Sequence, residues 1–81
     1  MAAAFDVLVV ELPPGGERAA HEAEWRDALV VVDRGEIELD CVGGSRRRFG
    51  SGAVLWLGGL PLRALRNPGA ERAVLVAVSR R

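Results

Sequence analysis

Residues 36–41 read Glu-Ile-Glu-Leu-Asp-Cys, with charged and apolar side chains in strict alternation, and Gly43-Gly44 follows almost at once. A period of two places Ile37, Leu39 and Cys41 on one face of a strand and Glu36, Glu38 and Asp40 on the other. The basic segment 45–49 is the return strand of a hairpin, and charge decides its register. A loop of Val42, Gly43 and Gly44 sets Asp40 opposite Arg46, Glu38 opposite Arg48 and Ile37 opposite Phe49. A loop shorter by one residue sets Cys41 opposite Arg46 and Leu39 opposite Arg48, which buries arginines. A one-residue slip inverts every side chain, so the first register is predicted, with a loop glycine free to adopt φ > 0. The run Arg46-Arg47-Arg48 then becomes mainly a solvated, ion-paired sheet face, each exposed pair contributing only ~0.2–1 kcal/mol.

The rest of the chain repeats the pattern of short apolar runs between Gly/Pro punctuation, without a helical period. Strands are predicted at 5–12, 28–33, 53–57, 62–67 and 72–79, with a weaker, polar one at 17–25. Many short strands with tight turns make the class all-β. Four of these strands, at 5–12, 28–33, 53–57 and 72–79, are apolar on both faces. One face of an antiparallel sheet fills the interior and the other is ordinarily wet. Two-sided apolar strands therefore imply a second buried surface, most simply a homodimer interface.

Eighty-one residues make one domain, 1–81, near the lower size limit for a self-sufficient core. The 11 basic residues, all arginine, balance 11 acidic ones. No overall field draws such a chain to nucleic acid or to an anionic membrane. No apolar run approaches the ~20 residues that span a bilayer, and the first residues lack the pattern of a secretory signal. A single cysteine, Cys41, excludes an intrachain disulfide and is expected to be an inert buried thiol. Together these features lead us to expect a soluble, cytoplasmic protein.

The stretch 52–67 carries a resemblance. Gly52 and Asn67 stand at the two ends of the pattern G-x5-P-x-G-x2-H-x3-N, although Gly58 replaces its proline, Leu60 its glycine and Arg63 its histidine. Upstream, Gly35 fits the closing glycine of G-x5-H-x-H-x3,4-E-x6-G. These two motifs, in this order, resemble those of the cupin family. The resemblance implies a small cupin-like antiparallel β-barrel, the double-stranded β-helix or jelly roll. Family membership of this kind indicates architecture and not chemistry.

A typical cupin site holds a transition metal on three imidazoles and a carboxylate. Counting back from Gly35, the glutamate position is Ala28. The two upstream histidine positions are His21 and Ala23 with the longer spacing, or Glu22 and Glu24 with the shorter. Neither register supplies three good ligands, so neither a metal nor another cofactor is expected. The resemblance also implies that Arg63 points into the barrel. There it either anchors a small carboxylate or other anionic ligand, or forms an internal ion pair with Glu22 or Glu24.

Three functions follow as expectations. The first is a metal-free barrel that binds a small organic acid around Arg63, with Trp25, Trp56 and Asn67 as further candidate ligand contacts. Both tryptophans also suit core or interface positions, and Asn67 before Pro68 suits a turn. The second is a metal-independent isomerase, epimerase or cyclase using His21, Glu22 and Glu24 as acid–base groups. The third is a ligand-free protein–protein module with its barrel filled by side chains.

Overall fold

In the computed structural model, which describes residues 4–21, 25 and 27–80, the alternating segment is strand β4 (Glu36–Cys41) and its return is β5 (Arg46–Gly50). The register is the one the charges require: Asp40 lies opposite Arg46, Glu38 opposite Arg48 and Ile37 opposite Phe49. In the loop the Cys41 N–H donates to Ser45 O and the Gly44 N–H to Cys41 O, both at 2.9 Å. Gly44 supplies the positive φ, +89°.

The other strands are β1 (Phe5–Leu12), β2 (Glu17–Ala19), β3 (Ala28–Arg34), β6 (Val54–Trp56), β7 (Leu62–Arg66) and β8 (Ala73–Arg80). They form two four-stranded antiparallel sheets, ordered β1-β8-β3-β6 and β2-β7-β4-β5. Of the segment predicted as a strand at 17–25, Glu17–Ala19 forms β2 and pairs with β7, and the Ala20 N–H donates to Arg63 O at 3.0 Å; residues 22–24 lie outside the described residues. The segment's one large apolar side chain, Trp25, is buried in the core at 2% exposure.

The core lies between the sheets. Val10, Leu12, Ala28, Val30, Val32, Leu55, Ala73, Leu75 and Ala77 come from the first sheet, and Ile37, Leu39 and Leu65 from the second. Each fully buried large aliphatic side chain stabilises the fold by roughly 1.5–3 kcal/mol relative to exposure. Ile37 and Leu39 are in this cluster, as alternation along β4 requires, and Glu38 and Asp40 therefore point out of the opposite face. Ala64, paired with Asp40, is buried but belongs to that outer face and not to the core cluster. Among the described residues no helix is long and apolar enough to cross a membrane.

Gly35 carries the chain from β3 in one sheet to β4 in the other. Its φ is +76°, and a Cβ there would meet Arg72 O at 2.8 Å and the Ala73 Cα at 3.0 Å. Both the left-handed backbone and the close approach of β8 require glycine. Gly35→Ala is expected to cost about 2–4 kcal/mol and lower the melting temperature by on the order of 10–20 °C. Gly43→Ala, at a loop position where a Cβ meets nothing within 4 Å, should shift it by no more than about 3 °C. Thermal denaturation followed by circular dichroism checks both.

Candidate functional site

Strand β7 does not run evenly against β4. Pairing steps from Asp40–Ala64 directly to Cys41–Leu62, so Arg63 is an extra residue in the ladder, a β-bulge. In an unbroken strand Arg63 would share the core face with Leu65 and Asn67. The bulge re-aims it, and its guanidinium donates instead to the Asp40 carboxylate on the outer face of the sheet. Arg63 is 57% exposed while Asp40 is 2% exposed. The expectation that Arg63 enters the barrel is therefore corrected. Its partner is Asp40; Glu22 and Glu24, the partners anticipated for it, lie outside the described residues.

Asp40 and Glu38 form the centre of a larger cluster. Arg46 approaches Asp40 at 3.7 Å and Glu38 at 4.0 Å, Arg48 reaches Glu38 at 3.2 Å, and Arg66 lies 3.9 Å from Glu38. The face anticipated as solvated is thus layered, with two buried carboxylates beneath three exposed arginines and the half-buried Arg66. Arginine stems cover the acids while their charged heads remain in water. A buried carboxylate requires this compensation, because an unpaired one is strongly destabilising.

Arg47 behaves differently from its neighbours. It lies opposite Leu39, on the core-facing side of β5. There it lines a cavity of about 500 Å³ between the edge strands β5 and β6, where the two sheets part at the barrel mouth. Leu39, Phe49, Leu55 and Leu57 give this cavity an apolar floor, and Val54, Trp56 and Leu60 form its lip. Arg47, Ser45 and Cys41 are its polar groups. Arg46, Arg48, Arg63 and Arg66 each have a carboxylate, but among the described residues none pairs with Arg47. The hairpin register already contained this placement, since whatever faces Leu39 faces the interior. The run of three arginines concealed it by reading as a single charged face.

Of the other candidates, Trp56 is at the lip of this cavity and 57% exposed. Trp25 is a core residue and not a lining one, and its indole N–H has no acceptor among the described residues. Asn67 is 1% exposed and fully engaged. Its amide N–H groups donate to Leu12 O at 3.0 Å and Glu71 O at 2.7 Å, and its Oδ1 accepts from the Gly69 N–H at 2.9 Å. It ties the end of β1 to the turn before β8, which corrects its candidacy as a ligand contact. His21 is exposed and does not line the barrel-mouth cavity. Cys41, expected to be buried, is partly exposed and lines it.

The donor set does not suit a cupin metal. Ala28 offers a methyl group at the glutamate position, and Arg63 is cationic and turned out of the barrel. Among the described residues no three His, Cys, Asp or Glu side chains are grouped to hold a metal ion.

No protein-family sequence model matches the chain, and no curated protein matches it in sequence. Solved structures do. A cupin 2 conserved barrel domain protein from Salinispora arenicola superposes with a TM-score of 0.75 and 27% identity, over 91% of this chain and 60% of that one. A conserved protein with a double-stranded β-helix domain from Klebsiella pneumoniae gives 0.76 and 25%, over 98% and 69%. The polyketide cyclase RemF from Streptomyces resistomycificus gives 0.76 and 19%, over 98% and 56%. The chain thus spans less than two thirds of the first and third of these proteins. Its fold is that of the cupins, the double-stranded β-helix expected from the two motifs.

Asn67 provides a test of this division of roles. Asn67→Ala removes three hydrogen bonds and leaves the Leu12 carbonyl without that partner. The expected loss is roughly 2–4 kcal/mol, a fall in melting temperature on the order of 10–20 °C. An Asn67 that served a ligand alone would leave the melting temperature of the free protein unchanged.

Proposed function

We propose that this cupin-fold barrel binds a small organic anion with an apolar body in the cavity between β5 and β6. The carboxylate sits on Arg47, and the hydrocarbon part lies among Leu39, Phe49, Leu55 and Leu57. One observation supports the reading: Arg47 is a guanidinium with no carboxylate partner among the described residues, at the wall of a largely apolar cavity. The cavity's size is within the range of small-molecule sites, which combine apolar walls with a few placed polar groups. A guanidinium offers a carboxylate two parallel donors, a geometry that an ammonium lacks. Ser45 adds a hydroxyl on the same side, and Trp56 a flat surface at the entrance.

This reading keeps the small acid anticipated from the sequence and moves its anchor from Arg63 to Arg47. The alternative of a metal-independent isomerase, epimerase or cyclase has a polyketide cyclase among the structural neighbours in its favour. Against it, the described lining of the cavity holds Arg47, Ser45 and Cys41 but no imidazole or carboxylate, and His21 is exposed elsewhere. The ligand-free module has less support, because the side chains of the described residues leave the barrel-mouth cavity of about 500 Å³ unfilled.

Thermal-shift and calorimetric titration with a panel of aliphatic and aromatic monocarboxylates, each beside its primary amide, tests the proposal. A bound acid at about 100 times its Kd should stabilise the fold by about 2.7 kcal/mol, and its amide should not. Arg47→Leu should weaken acid binding at least ~10-fold. Arg63→Ala should leave it within about twofold, since its guanidinium serves Asp40 on the other face. Acid binding lost in Arg63→Ala and kept in Arg47→Leu would return the anchor to Arg63.

A further inference from the structure

A second cavity lies apart from the barrel mouth, on the outer side of the first sheet. It is a groove of about 690 Å³ lined by Phe5, Asp27, Leu29, Trp56, Val78 and Arg80. Register builds it from all four strands. Val78 of β8 and Leu29 of β3 lie side by side, and Trp56 of β6 extends their row. In the next row, at the end of the sheet, Arg80 stands beside Phe5 of β1. Asp27, one residue before the Ala28–Ser79 pair, stands across from Arg80. Alternation turns Asp27 to the same face as Leu29, and Arg80 to the same face as Val78.

Two features of this groove serve no purpose in folding. Opposite charges facing one another across antiparallel strands form favourable pairs, yet neither Asp27 nor Arg80 is ion-paired with a described residue. Beside them Phe5, Leu29 and Trp56 are 52%, 44% and 57% exposed, although an antiparallel sheet ordinarily turns polar residues to water. An acid, a base and an apolar surface thus meet in one groove, each with its binding capacity unused.

We propose that the groove binds a small zwitterion with an apolar body, of which an aromatic α-amino acid is the simplest. Its ammonium sits on Asp27, its carboxylate on Arg80, and its side chain over Val78 and Leu29 against Trp56. Charge selects this class. A simple carboxylate or phosphate meets Asp27 beside Arg80, and a simple amine meets Arg80 beside Asp27. A ligand that carries both charges satisfies both groups and replaces the pair they leave unmade. Spacing selects the α-amino acid among zwitterions. Opposed residues on antiparallel strands have Cα atoms ~4.5–5.5 Å apart, so the two anchors are close together, as an ammonium and a carboxylate on one carbon are. Phe5 and Trp56 offer aromatic surface to the body of the ligand. The groove's volume is that of a small-molecule site, and its mixed charge gives no net attraction to a nucleic acid or an anionic bilayer.

This site does not depend on the anion-binding reading of the barrel mouth, although Trp56 borders both cavities. The test is a titration of the full chain with L-phenylalanine, following tryptophan emission excited at a wavelength that phenylalanine does not absorb. The emission should shift and saturate with a Kd on the order of 1 mM, the strength expected of a ligand of about 12 non-hydrogen atoms in an open groove. Trp56→Phe should abolish the shift, because the remaining Trp25 is a core residue. 3-Phenylpropionate and 2-phenylethylamine, each lacking one of the two charges, should bind at least ~10-fold more weakly. Asp27→Asn and Arg80→Gln, at exposed side chains, should each weaken L-phenylalanine at least ~10-fold with little change in melting temperature. Arg47→Leu should leave its binding within about twofold. No emission shift with L-phenylalanine, or 3-phenylpropionate binding as tightly through Arg80, would overturn the proposal. Binding lost in Arg47→Leu and kept in Arg80→Gln would also overturn it, and would place the amino acid in the barrel mouth. An emission that responds to protein concentration and not to L-phenylalanine would overturn it too, and would assign the groove to a second copy of the chain.

Discussion

Asp40 is the residue around which the second sheet is organised. Alternation along β4 forces it away from the core, yet it is buried beneath arginines from the flanking strands β5 and β7. A carboxylate so placed needs counter-charge, and it draws one arginine from each flanking strand, Arg46 from β5 and Arg63 from β7. Glu38, two residues earlier on the same face, does likewise with Arg46, Arg48 and Arg66. The sheet is therefore joined by side chains as well as by its ladders. Breaking such a cluster by removing one partner costs more than its formation contributes, because a buried charge is left behind.

The same pairing determines what the barrel can do. At the position where the cupin pattern places a histidine, the cation is removed from the interior by a single extra residue in β7. The described lining of the barrel-mouth cavity holds one arginine, Arg47, contributed by an edge strand and set beside apolar side chains. The cavity brings an exposed guanidinium and hydrocarbon side chains together at one wall. Such a cavity suits binding of an amphiphilic anion better than acid–base chemistry on it. The site lies where the sheets part, so strand edges that would otherwise be exposed line a cavity instead.

Much of this was legible in the residues, and what was not has identifiable causes. The β4–β5 register followed from charges on both strands, because only one alignment sets Arg46 and Arg48 opposite carboxylates and away from the core. The all-β class and most strand limits followed from alternation and from glycine and proline. The direction of Arg63 did not, because alternation counts residues along one strand, whereas a bulge is a mismatch between two strands brought together from distant parts of the chain. Trp25 was ambiguous for a related reason: a lone aromatic in a polar segment shows that something is buried, but not where. Arg47 was available from the register and was hidden by the two ion-paired arginines beside it. Asn67 was readable as a turn residue, and its three backbone partners show why nothing is left for a ligand.

The account depends on Arg63 being a structural cation held by Asp40 on the outer face. A double-mutant cycle on stability measures that contact directly, using wild type, Arg63→Ala, Asp40→Ala and the double variant in denaturant unfolding. Residues in contact show coupling of roughly 0.5–3 kcal/mol, whereas independent ones add within about 0.3–0.5 kcal/mol. We predict coupling of about 1 kcal/mol or more between Arg63 and Asp40. Additive losses would show that the two side chains do not meet, and would return Arg63 to the interior of the barrel.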